Sequence, residues 1–164
     1  MMTISAYNAR TLAFESSRDN LLMQARIIRY DVIDLTETRL RHPFNAVYDT
    51  AEELFLGTCD SREVGGVGVF VITSLPMNID SSEQPITRIG RLRLKRCGSI
   101  PALTNFVVCA PTSNYDEEEV EAFYMDLERF HREDHTFFKV SLEISMPRLD
   151  QEDRLRNFTL ETTD

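Results

Sequence analysis

The sequence predicts a mixed α/β domain, and three features carry that prediction. A strand, a helix and a second strand follow one another between Thr3 and Leu35; the middle of the chain is dense with short apolar runs; and one strongly amphipathic helix follows Cys109. At 164 residues, with 42% hydrophobic and 27% charged side chains, the chain suits one domain and is too apolar for wholesale disorder.

Thr3 to Tyr7 reads as a short strand ending at Asn8. Ser16 and Ser17 are candidate caps for a helix whose buried stripe is Leu21, Ala25 and Ile28. Val32, Ile33 and Leu35 form a covered strand, which completes a βαβ-like opening. Leu54 to Leu56, and Gly66 to Ile72, are the next strands. Arg88 to Arg96 alternates Leu92 and Leu94 with Arg91, Arg93 and Lys95, a period of two. Leu103 to Cys109 is a buried strand stopped by Pro111. Ser113 or Asn114 then caps a second helix, with the acids of Asp116 to Glu119 on its positive end. Val120, Phe123, Leu127 and Phe130 recur at helical spacing and face a core, while Asp116 to Glu121 is a solvated run. Thr136 to Val140 begins another strand, after which the text turns polar and Pro147 breaks the periodicity.

Charge and cysteine usage narrow the function classes. A net charge of −9 argues against a passive nucleic-acid coat, whose affinity comes from releasing counterions from phosphates. It leaves room for a nuclease, whose acids can hold a divalent metal against the phosphate. Cys59, Cys97 and Cys109 are an odd set with no close pairing, so neither a disulfide framework, a disulfide-linked partner nor a zinc knuckle is expected. Met1 to Asn8 shows no basic segment followed by an apolar core, and no run has the length of a membrane span; an intracellular, non-secreted protein is expected, of undefined oligomeric state.

Polar residues gather at predicted strand ends: Asn8, Glu37 and Pro111-Thr112. A carboxylate and a carboxamide there are hard oxygen donors that suit Mg²⁺, although spacing alone favours plain turn or surface roles for both. Arg91, Arg93 and Lys95 share a strand face that fits either a DNA backbone or solvent. His131 and His135 have the i, i+4 spacing of a zinc pair but no Glu between them in the required order and no evident third ligand. Gly65, Gly66 and Gly68 lack the Lys-Ser/Thr of a phosphate-cradling loop and read as tight strand glycines.

Four segments in order, Tyr7-Asn8-Ala9-Arg10, Asp34-Leu35-Thr36-Glu37-Thr38-Arg39, Gly65-Gly66-Val67-Gly68-Val69 and Ala110-Pro111-Thr112, resemble the motifs of the endonuclease/exonuclease/phosphatase superfamily. More narrowly, Thr3 to Val140 resembles the apurinic-type endonuclease domain of RTE-like non-LTR retrotransposons of nematode type. The resemblance implies a DNase I-like four-layered α/β sandwich, of which this chain carries the N-terminal portion. It also implies Mg²⁺-dependent hydrolysis of DNA phosphodiesters. By the same resemblance Glu37 is the metal-ligand glutamate and Asn8 orients the metal shell or the phosphate. The strand before Ala110 ends in Cys109 where the family has a phosphate-contacting tyrosine, and a thiol is a weaker donor of shorter reach.

After Val140 the family continues Ile-Ile-Gly-Asp-Phe-Asn-Ala, whereas this chain reads Ser141-Leu142-Glu143-Ile144-Ser145-Met146-Pro147. One DNA text yields both in different frames, so a single-nucleotide deletion after the Val140 codon, or a misread gene model, accounts for the change. Residues 1–140 are thus expected to be a partial endonuclease/exonuclease/phosphatase domain and 141–164 a divergent, unstructured tail. Losing the Asp-Phe-Asn segment and the family's later Ser-Asp-His would leave a defective nuclease. The alternative is a non-catalytic interaction fragment that binds protein or nucleic acid.

Overall fold

The computed structural model describes residues 2–10, 12, 14–62, 65–72, 78–96, 101–111, 115–136, 138–144 and 156–160. Cys97, Thr112, Ser113, Asn114 and residues 145–155 lie outside the described residues.

Ten strands and two helices are described: β1 (Met2–Asn8), α1 (Glu15–Ile28), β2 (Val32–Thr38), β3 (Phe44–Val47), β4 (Glu53–Leu56), β5 (Gly66–Val71), β6 (Ile79–Ile86), β7 (Ile89–Leu94), β8 (Leu103–Cys109), α2 (Glu117–Glu133), β9 (Phe138–Ile144) and β10 (Arg156–Leu160). They form a six-stranded sheet, in the order β10-β1-β2-β5-β4-β3, and a four-stranded sheet, in the order β6-β7-β8-β9. Each sheet holds one parallel pair joined through a helix, β1 with β2 through α1 and β8 with β9 through α2.

Strand alternation sorts the side chains into layers. Even-numbered residues of β1 and β2 turn inward, so Met2, Ile4 and Val32 meet Leu92, Leu94, Leu103 and Val107 between the sheets. The odd-numbered Ile33 and Leu35 turn outward and pack under Leu21, Leu22 and Ala25 of α1. On the other side Ile89, Phe106 and Val108 pack under Phe123, with Leu127 and Phe130 beside it. Helix, sheet, sheet and helix are therefore stacked as the four-layered sandwich expected.

The helix ends correct the sequence reading. The N-cap of α1 is Phe14, which makes no side-chain capping bond, and Ser16 and Ser17 fall inside the first turn. Ile28 is exposed and Leu22 takes its place in the stripe, because Leu21, Leu22 and Ala25 are the residues of α1 buried against the sheet. The described cap of α2 is Asp116, whose carboxylate accepts from Glu119 N at 2.8 Å while Glu119 reaches back to Asp116 N, a reciprocal box. Two strands, β3 and β6, lie outside the sequence reading. The unstructured tail expected from 141 is corrected at two segments. β9 continues to Ile144 beside β8, and Arg156–Leu160 pairs antiparallel with β1, because the outer edges of β1 and β8 still offer unpaired backbone groups.

Glu52 is held by Arg26 at 2.9 Å, and that bond draws its carboxyl down to about 2. Among the described residues no helix is long and apolar enough to cross a membrane.

Candidate functional site at the strand ends

β1, β2 and β8 deliver their C-terminal residues to one edge of the sandwich. Asn8 lies level with Thr36 across the parallel pair, and Ala9 N donates to Thr36 O at 2.7 Å. The register of β2 against β5 then slips between Thr36 and Thr38. Glu37 is the extra residue, and its backbone takes a left-handed φ of 60°. A non-glycine residue there stores strain of about 1–3 kcal/mol. The bulge needs glycine opposite it: a Cβ on Gly66 would fall 1.9 Å from Thr38 Oγ1.

The bulge turns the Glu37 carboxylate across the gap between the sheets. Cys109 Sγ donates to Glu37 Oε1 at 3.3 Å, and both side chains are buried. Burial, together with the charge of Glu37, pushes the Cys109 thiol up to about 12, so it stays protonated and acts as the donor. Asn8 stands at the neighbouring strand end, where its Oδ1 accepts from Arg10 N at 2.9 Å. The structure thus brings Glu37 and Cys109 into contact, with Asn8 on the adjacent strand.

A second group crowds the same edge. The Arg88 guanidinium donates through Nη1 to Cys109 O at 3.1 Å and to Ala110 O at 3.3 Å, and through Nη2 to the Tyr115 hydroxyl. Its Cζ lies 4.5 Å from the centre of the Tyr115 ring, and Arg62 reaches that ring at 4.6 Å. Tyr115 OH donates to Asp60 at 3.3 Å, and Arg62 bridges to Glu119 at 2.9 Å. Loops of both sheets meet here. Sequence reasoning missed Arg88 and Tyr115, since only the pairing of β7 with β8 brings Arg88 to Cys109, and Tyr115 joins the group through Arg88.

Arg91, Arg93 and Lys95 lie elsewhere. They share the strand face of Ile89, on the α2 side of the sheet, and run away from Arg88 toward the opposite end of β7. Each has an acidic neighbour: Arg91 pairs with Glu83, Arg93 with Asp134 at 3.2 Å, and Lys95 with Asp80 at 3.9 Å. His131 stacks on Phe106 at 4.3 Å, and burial draws its pKa down, so it serves packing. Cys59 and Cys109 are free thiols.

Beneath the edge, still between the sheets, Asn105 Nδ2 donates to Asp34 Oδ1 at 2.6 Å. Both residues are fully buried, and among the described residues Asp34 Oδ2, Asn105 Oδ1 and Thr36 Oγ1 have no partner. Burial pushes the Asp34 carboxyl up to about 8.

For a metal, the edge offers the carboxylate of Glu37 and the carboxamide of Asn8. Among the described residues no group of three or more His, Cys, Asp or Glu converges on one point. Such a donor set fits Mg²⁺ as a largely hydrated ion on one carboxylate, the mode this small, reluctantly dehydrated cation favours. The thiol of Cys109 is too soft to add to it.

No protein-family model matches the chain, and no curated protein matches its sequence. Solved structures do match its fold. The endonuclease domain of TRAS1, a telomere-specific non-LTR retrotransposon, superposes with a TM-score of 0.58 at 10% identity, covering 87% of this chain and 58% of that one. An endonuclease/exonuclease/phosphatase family protein from Leptotrichia buccalis gives 0.57 at 14% identity, covering 87% and 66%. The chain therefore carries a DNase I-like, endonuclease/exonuclease/phosphatase-type fold and spans 58% to 66% of the length of these two structures.

Proposed function

We propose that this chain is a Mg²⁺-dependent DNA phosphodiesterase domain by descent, of the retrotransposon endonuclease type, whose site is catalytically defective as it stands. The observation that carries the reading is Glu37. A strained bulge at a strand end is kept, and it aims a buried carboxylate at the residue in position 109. Glu37 would hold the ion and Asn8 would orient its water shell or the phosphate. When bound, Mg²⁺ supplies Lewis-acid stabilisation of charge on the phosphate oxygens. DNA is the proposed partner.

The defect follows from two positions at the same edge. The register of β9 on β8 puts residue 144 level with Cys109. The resemblance assigns that position an aspartate, and this chain has Ile144. Cys109 replaces the tyrosine whose hydroxyl would reach the phosphate. With neither group, activation of the attacking water and one phosphate contact are lost. The frameshift after Val140 is the proposed origin of the change. No observation favours the non-catalytic interaction fragment.

A plasmid-nicking assay tests the reading. Nicking that is absent, or weak and lost in Glu37→Ala, supports it, and strong nicking or nicking unaffected by that change refutes it. Sequencing the locus and transcript from Val140 to Glu152 tests the origin: a shifted frame reading Gly-Asp-Phe-Asn is expected.

A further inference from the structure

We infer that Arg88 is a positioning residue, which fixes the side chain at position 109 against Glu37. The inference deepens the functional reading and rests on it for what the site does; the positioning itself rests on contacts. β8 ends at Cys109, so the carbonyls of Cys109 and Ala110 lie where the sheet ladder runs out. Buried carbonyls require donors. Arg88 supplies both from a single Nη1, at 3.1 and 3.3 Å, with the Cys109 sulfur 3.6 Å away. Its own carbonyl accepts from Cys109 N at 2.9 Å, so residues 88 and 109 are tied through main chain and side chain alike.

The far side of the guanidinium is fixed as firmly. Nη2 donates to Tyr115, and the Tyr115 ring lies under Cζ. Gly65 forms the seat: its φ is 79°, and a Cβ there would come within 2.8 Å of the guanidinium carbon. One planar fork thereby joins the β4–β5 loop, the head of β7, the end of β8 and the loop before α2. Displacing it frees the strand end that holds the thiol 3.3 Å from Glu37.

The test uses the full chain with Cys59→Ser and Cys97→Ser, which leaves Cys109 as the one thiol. Its S–H infrared stretch reads the bond to Glu37, and Glu37→Ala in the same background gives the frequency without that bond. Arg88→Ala should move the band toward the Glu37→Ala position. An unchanged band would overturn the inference. Should Arg88→Ala fail to fold, Gly65→Ala keeps the arginine but displaces it, and must shift the band in the same direction; no shift there would also overturn it. Duplex binding in Mg²⁺ separates the two claims. If Glu37→Ala leaves that binding unchanged, the functional reading falls, while the band still decides the role of Arg88.

Discussion

Glu37 and Asp34 lie three residues apart on β2, both directed between the sheets, and the fold treats them in opposite ways. At Glu37 the backbone is strained and the side chain has a donor in Cys109. At Asp34 the backbone is a regular strand, and among the described residues the side chain has one bond and an unpartnered oxygen. The rim spends conformational energy to aim a charge, and the core below it tolerates a carboxyl only by keeping it protonated. The same residue chemistry is thus a site at one level of the sandwich and a stability liability one turn of the pleat below.

The largest expected effect lies at the liability. Asn105→Leu removes the carboxamide bonded to a buried carboxyl and should cost about 3 kcal/mol in urea denaturation. Asp34→Leu combined with Asn105→Leu should recover most of that loss, since an apolar pair leaves nothing unsatisfied. Next comes the rim: Gly66→Ala places a methyl on Thr38 and should cost about 2 kcal/mol by the same measurement.

pH sharpens the contrast. The folded chain keeps the Asp34 proton up to about pH 8, whereas the unfolded chain releases it near the ordinary aspartate value of 3.8. The contribution of Asp34 to stability is therefore full below the ordinary carboxylate range, declines as pH rises and levels off above about 8. The slope should not exceed ~1.4 kcal/mol per pH unit, and it should vanish in Asp34→Asn. The smallest effect has the opposite sign: Glu37→Gly relieves the left-handed φ and should stabilise the chain by about 1 kcal/mol while abolishing any Mg²⁺-dependent nicking.

Local pattern carried much of this architecture. The strand-helix-strand opening, the strands at Gly66, Arg88 and Leu103, and Phe123, Leu127 and Phe130 of the α2 stripe all follow from local pattern that tertiary packing did not override, while Val120 lies outside the cluster that α2 covers. β3 and β6 were illegible because both run along sheet edges, where burial is partial; β6, with Ser81, Ser82, Glu83 and Pro85, has almost no apolar alternation. The cap of α1 was illegible because Phe14 makes no side-chain capping bond and so carries none of the residue types that mark a cap. Asn8, Glu37 and Cys109 were found as candidates through family resemblance and strand-end logic. Arg88, Tyr115 and the Asp34–Asn105 pair were not, since the contacts that define them join residues 21 to 71 positions apart, and no local signal encodes that.

Gln84 offers an internal gauge of the whole assembly. Its carboxamide, on β6, accepts from Thr58 N at 3.0 Å and donates to Thr58 O at 2.9 Å, so a side chain of one sheet stands in for a backbone partner of the loop that leaves the other. Gly57 leaves the room, since a Cβ there would sit 2.6 Å from the Gln84 oxygen. The amide hydrogen of Thr58 is consequently protected from deuterium exchange only while the two sheets remain at their native separation. Its exchange rate times the breathing of the sandwich, and a loop amide reports on a motion that no strand amide, bonded within its own sheet, would register.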